Sequence, residues 1–563
     1  MPKKIALRHS RTGAATLAVL LVVLVAPALA ANLPRGTTGG NVGSPRAGSD
    51  YHEAPKSDES QSKEPALEQV KSRAEEGDKG AQFYLGYMYA TGTGTAQNFA
   101  EAAKWYRKAA DQGHPGAQAN LAVLYSVGRG VEKNEAEAVK LWTLAAEQGE
   151  LNAITNLGIA YASGRGVPKN EAEAVKWYTK AAEKNEKGSD RAQFNLGVFY
   201  QSGRGVAKDP VAALRWYRKA ADQGYAPALY AVGLSYATGQ GVAKDEAQAI
   251  EWYRKGAEKG SGAAQASLGG MYAEGRGVAK DEAKAVELYR KAAEQGEAVG
   301  QYGLGAMLEA GRGVAKDEVA AAQWYRKAAD QDLAAAQYHL GLMYAQGRGV
   351  AKDDAEAVKW YRKAAEEGSS GAQSNLGLMY SKGRGVPKND MEAVKWYKNA
   401  AEQDEPAAQY ALGLMYETAG GGVAKDDAEA AKWYRKAADQ GLGSAQSNLG
   451  LMYAQGRGAP KNDMEAVKWY RKAADQGEAG GYYNLALMTA EGRGVAKSEA
   501  EAIKLYRKAA DLGFVAAQYN LGVIYKQGKG TARDMAEAEK WFTLAADQGD
   551  KQARDELKRL KRK

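Results

Sequence analysis

Residues 336–368 read AQYHLGLMYAQGRGVAKDDAEAVKWYRKAAEEG, and this stretch decides the fold. Ala336, Leu340, Met343 and Tyr344 recur at helical intervals on one face. Gly341 sits inside that helix at a cost of about 1 kcal/mol relative to Ala, which predicts that a neighbouring backbone approaches closely there. The Gly347-Arg348-Gly349 turn ends the helix, because Gly enters the left-handed region that other residues resist. A second helix opens at Asp353 with Glu356 three residues later, the spacing of a capping box with Asx in the cap. It turns Ala357, Trp360, Tyr361, Ala364 and Ala365 inward, places Arg362 and Lys363 near its C-terminal end where the helix dipole favours cations, and stops at Gly368. The stretch reads as two helices joined by a tight turn.

The same pattern returns about every 36 residues from Leu67 onward. Its anchoring small residue falls at Ala81, Ala117, Ala153, Ala192, Ala228, Ala264, Gly300, Ala336, Ala372, Ala408, Ala445, Gly481 and Ala517, which makes thirteen units. Three extra residues precede Ala192 and one precedes Ala445, both in predicted turns. The capping spacing repeats at Asn98 with Glu101, Asn134 with Glu137 and Asp245 with Gln248, and Asp209 precedes a Pro suited to the first helical turn. Ten of the eleven Trp residues share one place in the second helix, where Leu141, Leu288 and Leu505 stand in the other units, so the place is read as packing. A chain of 563 residues would suggest several domains, but a short period means stacked units that cannot bury a face alone. With 67 Gly and only 6 Phe, its layers must be thin.

The ends differ from the repeats. Residues 1–30 carry Lys3, Lys4, Arg8 and Arg11, an apolar run from Ala14 to Ala26 and the small-residue pattern Ala28-Leu29-Ala30, which reads as a signal peptide. The apolar run is shorter than the roughly 20 residues of a spanning helix, so no transmembrane segment is expected after cleavage. Residues 31–64 are rich in Gly, Ser, Pro and charge and read as a flexible tether. Residues 65–80 form an N-terminal capping helix, 81–552 the solenoid, and 553–563 a C-terminal capping helix and basic tail. The expected location is periplasmic or secreted.

The formal charge of +9 includes four positive charges in the leader, and the rest is spread thinly. This argues against nucleic acid as a partner, since nucleic-acid binders concentrate positive charge on one face. The C-terminal block Lys551, Arg554, Lys558, Arg559, Lys561, Arg562 and Lys563 reads as a solvated helix end or as a contact with an anionic envelope polymer. No Cys exists, and the four His (His9, His52, His114, His339) are scattered, so no metal site, cofactor or catalytic residue is assigned. The Ser60–Lys63 match to a Ser-x-x-Lys motif falls in the tether, where nothing holds a base against the hydroxyl. The Gly-Arg-Gly turns follow helices rather than strands and lack phosphate-loop spacing; their arginines, such as Arg165, Arg204, Arg312, Arg384 and Arg493, are read as a mixed, solvated edge or a weak anion-binding ridge.

Variation within the repeat marks a candidate binding strip. If Ala81, Leu85 and Met88 face the core, the second and third residues of each unit lie roughly opposite. The third is aromatic at Phe83, Phe194, Tyr230, Tyr302, Tyr338, Tyr410, Tyr483 and Tyr519, and the second is Gln at Gln301, Gln337 and Gln409 among others. Aromatic rings with amides suit peptide or helical segments of other proteins, and Asn156, Asn195, Asn375, Asn448, Asn484 and Asn520 would help at the groove margin. Shape-filling between stacked units fits the same residues.

The units resemble Sel-one-like repeats, relatives of the tetratricopeptide repeat, through Ala336, Leu340, Gly341, Tyr344, Gly347, Gly349, Val350, Asp353, Ala357, Trp360, Tyr361, Ala364, Ala365 and Gly368. The resemblance implies an all-α fold, an α/α superhelical solenoid of about thirteen helix-turn-helix repeats with half-repeat caps. It implies a scaffold or adaptor for protein complexes, with bacterial relatives tied to the cell envelope, host interaction and exopolysaccharide export. A carbohydrate or cell-wall-polymer binding module is the alternative. A β-lactam or peptidoglycan hydrolase is a third, implied by Cys-rich relatives whose disulfides this chain cannot form.

Overall fold

A computed structural model of the chain describes residues 67–560. The expected signal peptide and tether, with His9, His52 and Ser60–Lys63, lie outside the described residues, as do Lys561, Arg562 and Lys563. The described residues form 28 helices and no strand, in two compact units divided between Lys316 and Asp317. Within each unit every helix packs against the helices before and after it in the chain, so each unit is a run of α/α superhelical solenoid. Most helices have 12 or 13 residues, a length that is marginal in water alone, so packing rather than propensity must hold them.

The local signals act as their chemistry requires. Asn98 accepts hydrogen bonds from the backbone N–H groups of Ala100 and Glu101, and Asp353 from those of Ala355 and Glu356. Gly347 caps the first helix of its repeat at φ 71°. The second Gly of the turn has a separate duty: a Cβ on Gly349 would fall 2.0 Å from the carbonyl oxygen of Glu318, at the start of the preceding repeat's second helix. The turn is thus a site of close backbone contact between repeats.

The Gly inside the first helix serves a different neighbour from the one expected. A Cβ on Gly341 would meet the ring of Tyr361 at 2.7 Å, and one on Gly86 the ring of Tyr106 at 2.6 Å. The space is filled by the tyrosine of the same repeat's second helix, not by a backbone. These tyrosines form the centre of each layer; Tyr106, Tyr325 and Tyr434 have no exposed surface. The Trp one residue earlier lies at the layer's edge, buried at Trp360 and Trp469 and half-buried at Trp324, with the Lys327 and Lys472 ammonium groups about 4 Å from the ring centroids of Trp324 and Trp469.

Candidate partner-binding surface

The second position of each repeat is a structural joint. Gln409 is fully buried; its Nε2 donates to the carbonyl of Ala401 at 3.2 Å, and its Oε1 accepts from Gln440 Nε2 at 2.9 Å. One side chain therefore ties together three helix ends: its own, the end of the second helix before it, and the end of the second helix after it. The same rung recurs as Gln112 to Gln82, Gln148 to Gln118, Gln223 to Gln193, Gln295 to Gln265, Gln403 to Gln373, Gln476 to Gln446 and Gln548 to Gln518, at 2.7 to 3.0 Å. Gln301 and Gln337 are likewise buried and donate to Ala293 and Ala329. These amides are engaged inside the stack rather than offered to a partner's backbone.

The aromatic third position is enclosed too. Phe83 is 2 % exposed, and Tyr230 and Tyr302 are buried; Phe194, Tyr338, Tyr410, Tyr483 and Tyr519 are half-buried. Their rings pack on the aromatic ring of the same repeat's second helix: Phe83 on Tyr106, Phe194 on Tyr217, Tyr230 on Tyr253, Tyr338 on Tyr361, Tyr410 on Tyr434, Tyr483 on Tyr506 and Tyr519 on Phe542, with centroids 5.6 to 6.2 Å apart. Burial pushes the Tyr338 hydroxyl up to about 12. The strip expected from sequence does not form an open face, because each first helix lies between two second helices and little of its circumference is free.

The open residues sit further round the helix. In the first unit a groove of about 890 Å³ is lined by Val123, Ser126, Asn156, Ile159 and Ser163 from first helices, facing Arg191, Tyr225, Pro227 and Lys259 from the turns and helix starts of later repeats. The fourth position, assigned to a groove margin from sequence, turns inward in several repeats: Asn120 donates to the Tyr106 hydroxyl oxygen at 3.2 Å, and Asn375, Asn448 and Asn520 lie beside the hydroxyls of Tyr338, Tyr434 and Tyr506. Asn156, which lines the groove, has no side-chain hydrogen bond among the described residues.

The turn arginines are mostly clasps rather than a ridge. Arg384 pairs with Asp354 at 2.6 Å, Arg493 with Asp463 at 2.8 Å, Arg204 with Glu171 at 2.9 Å and Arg312 with Glu282 at 2.8 Å, each reaching the first residue of the preceding repeat's second helix. The Arg384 guanidinium holds the Asp354 carboxyl below the ordinary carboxylate range, and Arg493 does the same to Asp463. Such half-exposed pairs contribute modestly, on the order of 0.2–1 kcal/mol.

The glutamine rungs escaped the sequence reading, yet the sequence carries their signature. Where the second position is Ile154, Leu229 or Tyr482, the residue thirty places on is Lys184, Lys259 or Leu512 rather than Gln. Co-variation among repeats of one chain marks the contact.

Fold and surface together define a helical-repeat protein whose first-helix side chains are largely committed to stacking. The profile of the Sel1 repeat matches thirteen successive segments, from residues 80–114 to 515–550, and the chain belongs to the Sel1 repeat family. Proteins of this family generally mediate protein–protein interactions and are generally non-catalytic scaffolds. Among solved structures, the chain is similar to a protective antigen present in uropathogenic Escherichia coli strains, with 37 % identity over 81 % of this chain and 97 % of that one and a TM-score of 0.62. It is also similar to a Sel1 repeat protein from Oxalobacter formigenes, with 35 % identity over 44 % of this chain and 96 % of that one and a TM-score of 0.41. No curated protein matches.

No helix among the described residues is long and apolar enough to cross a membrane.

Proposed function

We propose that the chain is an exported, non-catalytic repeat scaffold that holds other proteins in the bacterial cell envelope or outside the cell. The observation that carries the reading is the open groove of the first unit, set among stacked repeats whose Gln and aromatic first-helix positions are packed inside the stack. Family membership supports protein partners. Export rests on the basic, apolar and small-residue order of residues 1–30, and the description of the Escherichia coli relative as a protective antigen agrees with an accessible location. The test is to express the full chain, fractionate cells and medium, and crosslink in the intact envelope. Recovery in periplasm or medium, with defined proteins attached, supports the reading. A chain that stays in the cytoplasm, or one whose melting temperature rises with cell-wall glycan while no protein attaches, replaces it.

A further inference from the structure

The groove of the first unit gathers several unpaired polar and cationic groups at one place. One wall holds Arg165, and the facing turns hold Arg191 and Lys259. Arg165 differs from Arg204, Arg312, Arg384 and Arg493: it is exposed and has no ion pair among the described residues, and Glu135, the counterpart of their carboxylates, pairs with Lys133 at 2.8 Å instead. Lys259 stands where most repeats have the rung Gln; its place across from Leu229 gives it no acceptor, and its ammonium is also unpaired. The helices Asp190–Ser202 and Ala226–Thr238 begin in the groove without a side-chain cap, so their N-terminal N–H groups add partial positive charge there. Against this stands Asp190, the one acidic lining residue without a cationic partner among the described residues.

The floor is also incomplete. In the second repeat Trp142 replaces the usual core tyrosine; it is 8 % exposed, lines the groove, and its indole N–H has no acceptor among the described residues. Asn156, fourteen residues on, stands where Asn120 meets Tyr106, but its amide is unengaged. The Asn156 amide faces the groove, and an amide pairs well with a peptide group. Sugars stack on open aromatic faces. Here Trp142 is enclosed and Tyr225 is covered edge-on by Phe194 at 5.4 Å.

We infer that this groove binds an extended polypeptide segment carrying spaced Asp or Glu side chains, its carboxylates meeting Arg165 and Lys259 and its backbone meeting Asn156. The inference rests on the protein-binding reading above and specifies its chemistry.

The test uses the full chain and a pooled library of short synthetic peptides in which every second residue is Asp or Glu. A matched Lys/Arg library, an uncharged library and a soluble anionic glycan serve as comparisons, with affinity read by fluorescence anisotropy. The acidic library binds preferentially, and the double reversal Arg165→Glu with Lys259→Glu weakens it by at least about tenfold, equivalent to 1.4 kcal/mol. Asn156→Leu weakens it by a smaller factor. Both charged side chains are unpaired, so the helical circular dichroism of the double variant stays intact; Arg165→Ala with Lys259→Ala is the second variant should it not. No acidic-peptide binding, equal binding of the basic library or the glycan, or affinity unchanged in a folded double variant overturns the inference. If envelope proteins still attach to that variant, only this site falls; if none attaches to the parent chain, the broader reading falls as well.

Discussion

Gln440 donates its side-chain amide to Gln409, which in turn donates to the carbonyl of Ala401, so two side chains join the ends of three helices. Gln409 is excluded from water whereas Gln440 is exposed, so losing the rung strands buried polar groups at Gln409 and the Ala401 carbonyl. Gln409→Leu is therefore expected to cost about 1–3 kcal/mol, read from urea unfolding. Adding Gln440→Leu should recover part of that loss, as the apolar pairing of Tyr482 with Leu512 implies. A double variant less stable than the sum of the single ones would refute the rung.

One rung is unfinished. Gln337 has a buried Oε1 without a donor, and the residue thirty places on is Glu367, whose carboxylate cannot donate. Glu367→Gln supplies the missing N–H and is expected to stabilise by about 0.5–1.5 kcal/mol, the usual net worth of a hydrogen bond. Thermal melts of the two proteins side by side decide it.

Ala419 closes the helix Pro406–Thr418 in the left-handed region at φ 57°, where the other first helices use Gly. An L side chain there costs roughly 1–2 kcal/mol. Ala419→Gly removes that strain and returns some chain entropy to the unfolded state, for a net gain of about 1 kcal/mol. A lowered denaturation midpoint would count against the assignment.

Two sets of carboxyls pull pH dependence in opposite directions. Burial raises Glu405 above the ordinary carboxylate value, so the folded state holds its proton longer than the unfolded chain, and stability falls as pH rises through that window. Glu405→Gln should leave stability unchanged below about pH 4 and increase it at neutral pH. Asp354 and Asp463 have lowered values, so their contribution is present above the ordinary range and disappears as pH falls through the lowered one. Asp354→Asn should weaken the protein at neutral pH and flatten its acid-side decline, measured by urea titrations across pH.

Much of the fold was legible because each repeat states its own boundaries: Asn98 and Asp353 cap, Gly347 stops, and Tyr361 returns with the helical period. The binding strip was not, and the reason is geometric. A helical period says which residues share a face, but a first helix between two second helices has two buried faces, and the sequence pattern alone named only one. Gln337 and Tyr302 read as polar and amphipathic, which points them outward; their burial depends on partners thirty residues away or on the next layer. Asn156 was named among the groove-margin residues and does line the groove, while Arg165 and Lys259 differ from their counterparts only through what their neighbours hold.

The absent rungs at Ile154 with Lys184 and Leu229 with Lys259 have a mechanical meaning. They fall in the same part of the first unit as the groove, and Lys259 itself borders it. At the first of these joints Lys184 donates to the Gly149 carbonyl at 2.6 Å and clasps the helices in the glutamine's stead, whereas at the second no side-chain bond among the described residues takes over, and the layers there are held by packing alone.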